Sequence, residues 1–258
     1  MSNLDEITKL LFRDKTPEEI THMLVNLNRY QLNRKTHIKK YNKLRKLHAE
    51  ILNSMQDYIF SGKYNFRKYD DIVYSELNKF VADYDIDFDL ENDDDISIFL
   101  ELFVYKNHKN IPSVTELYLK NNKFRNADKK KLLECMNNSY VSLFKVIDVD
   151  RGSGYVTYQD IFTKKKFKII DIAMSSSLVI DTKRELYTYN RIITYEDISF
   201  ATGIHCNFSS NSKKLMKFIK NHNYNKCSDF IRCLLIYDIY KKDSDVESSY
   251  NHQYGYNG

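Results

Sequence analysis

Phe144-Lys145-Val146-Ile147-Asp148-Val149-Asp150-Arg151-Gly152-Ser153-Gly154-Tyr155-Val156-Thr157-Tyr158-Gln159-Asp160-Ile161-Phe162 marks a change of texture along this chain. Upstream, apolar residues recur at helical spacing. From Val141 onward they come in short β-rich runs on either side of a glycine-bearing turn, Asp150–Gly154. The pattern predicts a strand over 141–149, a second over 155–162 and a third over 167–172, with Thr163–Lys166 as the turn between the last two. Further runs at 178–180, 186–194 and 199–202 complete five or six short strands before Gly203. So many short strands with tight turns in so few residues predict a small, strongly curved sheet or barrel.

On both sides of this module the spacing is helical. Leu4, Ile7, Leu10 and Leu11 outline a short amphipathic helix. Thr16-Pro17-Glu18-Glu19 is the clearest helix start: Thr16 can cap, Pro17 suits the first helical position and Glu19 completes a capping box. The stretch 17–60 reads as one long helix, or two broken near Asn33–Thr36, with Gly62 as its stop. Further helices are predicted over 70–81, from Ile96 to about Tyr105, from Pro112-Ser113 to about Leu119, and over Asp128–Asn137. After the module, Leu215, Phe218 and Ile219 mark one helix, and Phe230 to Ile239 a second, largely buried one. The fold class is α+β. Its parts are a helical region 1–140, a β-module 141–206, C-terminal helices 207–242 and a polar tail 243–258.

The totals bound the function. The 258 residues suffice for one large domain or two small ones, and 36 of them are Tyr or Phe, which argues against a disordered chain. No run of 18 apolar residues is present, so no membrane span is expected. The N-terminus has neither the basic nor the apolar region of a secretory signal, which predicts a cytoplasmic protein with Cys135, Cys206, Cys227 and Cys233 as free thiols. The net charge of +5 is mildly basic, and the abundance of Lys, Asn, Ile and Tyr is what AT-rich codons produce without selection for any partner.

The β-module resembles that of uncharacterised bacterial proteins that often carry a SEC-C motif. The likeness rests on Phe144–Val156, Asp160-Ile161-Phe162-Thr163, Ser177-Leu178, Arg191-Ile192-Ile193 and Phe200-Ala201-Thr202-Gly203, in that order, about a quarter of the chain. What it implies is a pattern of strands and turns. The SEC-C zinc site itself, a terminal Cys-x-Cys…His-Cys, has no counterpart here, because the tail after Lys241 holds no cysteine. No zinc ligand or mechanism therefore carries over.

Two charged stretches stand out. Arg29, Arg34, Lys35, Lys39, Lys40, Lys43, Arg45 and Lys46 place eight cations in 18 residues, and Lys35, Lys39, Lys43 and Lys46 share a helix face. With Lys164, Lys165, Lys166 and Lys168 they form the candidate contacts to nucleic-acid phosphates. The bland alternative is a solvated face balanced by the acidic stretch Asp83–Asp95, which holds eight carboxylates in 13 residues. That stretch fails as an EF-hand, with Phe88 at the sixth position and Asp94 at the twelfth. His205, Cys206, His222, Cys227 and Cys233 lack the paired-cysteine knuckle of a zinc site, and no metal or cofactor is expected. Arg34–His37 and Arg45–His48 have a shorter gap than the Arg…His pairs of helical ribonucleases. No nucleophile elbow, phosphate-binding loop or zinc-protease helix is present. Three functions stay open: a binding protein contacting nucleic acid, a toxin or phage-defence effector of metal-dependent nuclease type, and a protein-binding adaptor.

Overall fold

The computed structural model describes residues 16–60, 75, 78, 79, 81–83, 93–105, 112–176, 185–209, 212–221 and 229–242. Helix α1 (Pro17–Asn33) opens with the expected capping box: Thr16 Oγ1 accepts from the Glu19 amide at 3.2 Å, and the Thr16 amide donates to Glu19 Oε2 at 2.7 Å. The 17–60 stretch is two helices, because α1 closes at Arg34 and α2 starts afresh as Thr36–Phe60. Helices α3 (Asp93–Tyr105), α4 (Val114–Asn121) and α5 (Ala127–Asn137) follow. Ser113 and Asn126 cap the last two by accepting from the amides of Glu116 and Lys129. The segments expected to be helical at 4–13 and terminal at 243–258 lie outside the described residues, as does most of 70–81.

The β-module is a closed barrel of five strands: β1 (Tyr140–Asp150), β2 (Tyr155–Asp160), β3 (Lys166–Ile170), β4 (Leu186–Tyr195) and β5 (Ile198–Ser209), in the order β1-β2-β3-β5-β4. Five of the six runs read from the sequence are these strands, and the run at 178–180 is outside the described residues; the third strand ends at Ile170 rather than Ile172, and a short helix not read from the sequence, α6 (Ile172–Ser176), follows it. Strand β1 pairs through Tyr140–Lys145 with β4 and through Phe144–Asp150 with β2. A register shift between Val146 and Asp148 bends it enough to serve both neighbours. All pairings are antiparallel except β3 with β5, which are parallel at Ile170 and Phe200. A β1 shared by β2 and β4, a parallel β3–β5 contact and a helix between β3 and β4 form the topology of an OB barrel.

Period-two alternation sorts the strands into an inside and an outside. Phe144, Val156, Tyr158, Ile169, Ile192 and Ala201 fill the interior. The outward residues of β4 and β5 are just as apolar, because helices cover them. Ile193, Tyr195, Ile198 and Phe200 pack with Leu32, Ile38, Leu44, Ile51 and Leu132 of α1, α2 and α5. Tyr187, Tyr189, Cys206 and Phe208 pack with α3 and with the final helices α7 (Lys213–Lys220) and α8 (Asp229–Lys242). No described helix is long and apolar enough to cross a membrane.

Candidate nucleic-acid interface

The outer surface of the β2–β3 hairpin differs from that of β4 and β5. Register pairs Tyr155 with Ile170, Thr157 with Lys168 and Gln159 with Lys166, and these side chains alternate with the interior ones. Lys164, Lys165, Lys166 and Lys168 are all exposed, and no ion pair engages them among the described residues.

Asp160 shapes the turn that carries three of these lysines. It sits at the end of β2, fully buried, and accepts from the Phe162 amide at 2.7 Å, the Thr163 amide at 2.6 Å and the Tyr140 hydroxyl at 2.6 Å. Burial alone would raise its pKa. The bonds from Thr163, Tyr140, Ser142 and Phe162 outweigh burial and hold the carboxyl below its ordinary value. The side chain adds to the turn's own backbone bonds, in which the Asp160 amide donates to the Lys165 carbonyl at 2.8 Å and the Lys164 amide to the Asp160 carbonyl at 3.0 Å, and Lys164 takes a φ of 61°.

Aromatic rings lie beneath the lysines. The Lys165 ammonium is 4.8 Å from the Phe167 ring centroid and 5.8 Å from that of Tyr140. The Lys168 ammonium is 4.7 Å from the Tyr155 ring. Such contacts hold a cation without neutralising it. His37 of α2 stacks on the same Tyr155 ring, with centroids 5.2 Å apart and planes 13° apart, and its Nε2–H donates to the Ser153 carbonyl at 2.7 Å. Lys35 donates to the Gly152 carbonyl beside it. The first turn of α2 is thus fastened to the β1–β2 turn. Gly154 permits this approach: its φ is +79°, and a Cβ there would press on Ile38 at 3.2 Å.

The cations of 29–46 separate into groups. Lys35 joins the β1–β2 turn. Lys40 meets Asp197 at 2.6 Å and Glu196 at 3.3 Å in the β4–β5 turn, where Lys131 also reaches Glu196 at 2.6 Å. Arg45 donates to the Ala201 carbonyl at 3.1 Å over the Phe200 ring. Lys39, Lys43 and Lys46 are exposed on the side of α2 away from Ile38, Leu44 and Ile51, with Arg34 exposed at the helix junction. The α2 stripe and the β2–β3 lysines are therefore two surfaces that share the Lys35 corner.

Other candidates resolve as packing. His48 is 2% exposed, and its ring meets the Tyr105 hydroxyl at 3.0 Å. Burial, aided by Arg45, lowers its pKa to about 3, so it stays neutral. Cys206 and Cys233 are buried, and burial pushes the Cys206 thiol well above its usual value. Of the acidic stretch, Asp95 is buried and accepts from the Tyr237 hydroxyl at 2.7 Å and Lys241 at 2.8 Å. Residues 84–92, Cys227 and His222 lie outside the described residues.

Two features had only faint signals in the sequence. One is a buried Arg191, whose Nε–H donates to Glu101 at 3.2 Å and whose NH1 donates to Ser139 at 3.0 Å, over the Tyr105 ring at 4.3 Å. An arginine in the middle of a β-rich run was its only trace. The other is the lysine face of α7, legible only as Lys213, Lys214, Lys217 and Lys220 at helical spacing.

Comparison with curated proteins and with solved structures returns no match. A family model described as "Family of unknown function (DUF7986)" matches residues 35–250, most of the chain and all of the barrel, and the protein belongs to that family.

Proposed function

We propose that this protein binds single-stranded nucleic acid on the outer face of the β2–β3 hairpin. The observation that carries the reading is the contrast on one barrel: helices bury the outside of β4 and β5, while the hairpin presents four exposed lysines, two of which, Lys165 and Lys168, lie over aromatic rings. Lysines supply phosphate contacts, and a positively charged surface that tracks the backbone is how proteins hold single strands without reading sequence. In OB barrels of known function the β2–β3 face and its flanking turns are where oligonucleotides lie, an analogy of architecture that agrees with the side chains present here. The Arg34–Lys35 corner flanks the face, and the Lys39, Lys43 and Lys46 stripe is a separate basic surface open to the same polyanion. A cytoplasmic location belongs to this reading. The nuclease alternative has no geometry to argue from, because residues 84–92 are outside the described ones. The resemblance to SEC-C-associated proteins adds no ligand.

Fluorescence anisotropy with labelled single-stranded and duplex oligonucleotides across a salt series tests the reading. Single strands are expected to bind more tightly than duplex. Replacing Lys164, Lys165, Lys166 and Lys168 by Gln is expected to flatten the slope of log K against log salt by about 3, since each phosphate contact on a single strand contributes about 0.7. No binding at low salt, or an unchanged slope in the variant, would sink it.

A further inference from the structure

The β2–β3 turn does not end in solvent. Phe162, two residues before Lys164, meets Phe218 of α7 edge-on at 6.4 Å, and Arg232 of α8 lies over the Phe162 ring at 5.1 Å. Helix α7 therefore abuts the tip of the lysine hairpin. Its sequence, Lys213-Lys214-Leu215-Met216-Lys217-Phe218-Ile219-Lys220, divides cleanly by face. Leu215 and Phe218 are buried in the core beside β4 and β5, and Ser212 caps the helix by accepting from the Leu215 amide at 3.1 Å. Lys213, Lys217 and Lys220 are exposed on the opposite face and make no ion pair among the described residues, while Lys214 donates to the Lys242 carbonyl.

We infer that the lysine face of α7 is the second half of the binding surface, so that one strand of nucleic acid runs from Lys168 along the hairpin and across its tip onto α7. This rests on the reading proposed above and fixes the ligand's extent. Helix α7 has a second possible partner chemistry, since a basic amphipathic helix also suits an anionic membrane. That use needs a free apolar face, and here Leu215 and Phe218 are 0% and 3% exposed. What α7 offers is charge alone, which fits a phosphate backbone. The hairpin from Lys164 to Lys168 covers roughly 13 Å at strand rise, and eight helical residues add about 12 Å. A ligand that reaches both is therefore longer than one that satisfies the hairpin alone.

The test uses the full chain with Lys213, Lys217 and Lys220 replaced by Gln, all exposed positions that leave the core intact. It is read against oligothymidylates of roughly 4 and 16 nucleotides, the range a single barrel of this type occupies. On the longer strand the α7 variant is expected to bind about tenfold more weakly, with the salt slope reduced by about 2; on the short one it should match wild type. Replacement by Arg should keep wild-type affinity. If the α7 variant equals wild type on the long strand while the hairpin variant is impaired, the inference falls and the hairpin reading stands. If wild type binds neither strand, both fall. Tighter binding to phosphatidylserine vesicles than to the long strand, lost in the α7 variant, would reassign this helix to a membrane surface and overturn the inference.

Discussion

The two halves of the barrel surface obey opposite rules. On β4 and β5 the outward side chains are Tyr, Ile, Phe and one buried arginine, and helices close over them. On the β2–β3 hairpin the outward Lys166 and Lys168 are exposed and Thr157 and Gln159 half-buried, while Tyr155 and Ile170 at its base pack with the helices. Both halves share one interior and one strand alternation, so the difference is what each outer face is for. The covered half holds the helical region to the barrel. The open half keeps exposed cations that no described ion pair engages, the kind of charge distribution that raises the local concentration of anions.

Four measurements sharpen or break this contrast. The largest effect is expected from Arg191→Ala, which removes a buried guanidinium and its bonds to Glu101 and Ser139 in the covered half; about 3–5 kcal/mol of stability should be lost in denaturant titration. An unchanged midpoint would mean that the ion pair does not lock the helices on. Gly203→Ala comes next. Gly203 has a φ of +78° and an added Cβ would collide with the Glu101 carboxylate, so about 1–3 kcal/mol should be lost from the backbone conformation alone, with more from the displaced carboxylate.

The third effect depends on pH. An unfolded histidine titrates near 6.5, whereas folded His48 does so at about 3. Between those values only the unfolded chain takes up the proton. Stability from the neutral ring is therefore complete above about pH 6.5 and falls with pH by about 1.4 kcal/mol per unit until about pH 3, or about 2 kcal/mol at pH 5. In His48→Gln this part of the slope should vanish; its persistence would place the acid sensitivity elsewhere. The smallest effect on stability belongs to the open half. The Lys164, Lys165, Lys166 and Lys168 to Gln variant should melt within about 0.5 kcal/mol of wild type, and a larger loss would show that these lysines hold the hairpin rather than wait for a ligand.

Much of the architecture was legible in the sequence, for local reasons. Thr16-Pro17-Glu18-Glu19 carries its own capping chemistry, and the turns at Asp150–Gly154 and Thr163–Lys166 carry theirs. Helix breaks and strand alternation follow from such short-range preferences. The site was half legible. Lys164, Lys165, Lys166 and Lys168 are adjacent in sequence and so could be named as a group. The basic stretch 29–46 could not be divided, because Lys40 finds Glu196 and Asp197 more than 150 residues away, and Lys35 finds Gly152 across 117. The alliance of the hairpin with α7 passes through Phe162 and Phe218, 56 positions apart, with nothing in either local pattern to announce it.

By itself, then, the sequence determined the kinds of element and their order: helices before and after a small β-module, with lysines at one hairpin. Those properties depend on residues within a few positions of one another. Tertiary structure decided that the strands close as β1-β2-β3-β5-β4, which outer face the helices bury, and which cations are neutralised. These outcomes depend on register and on contacts between distant residues, and pairing across long loops leaves no periodic trace in the chain.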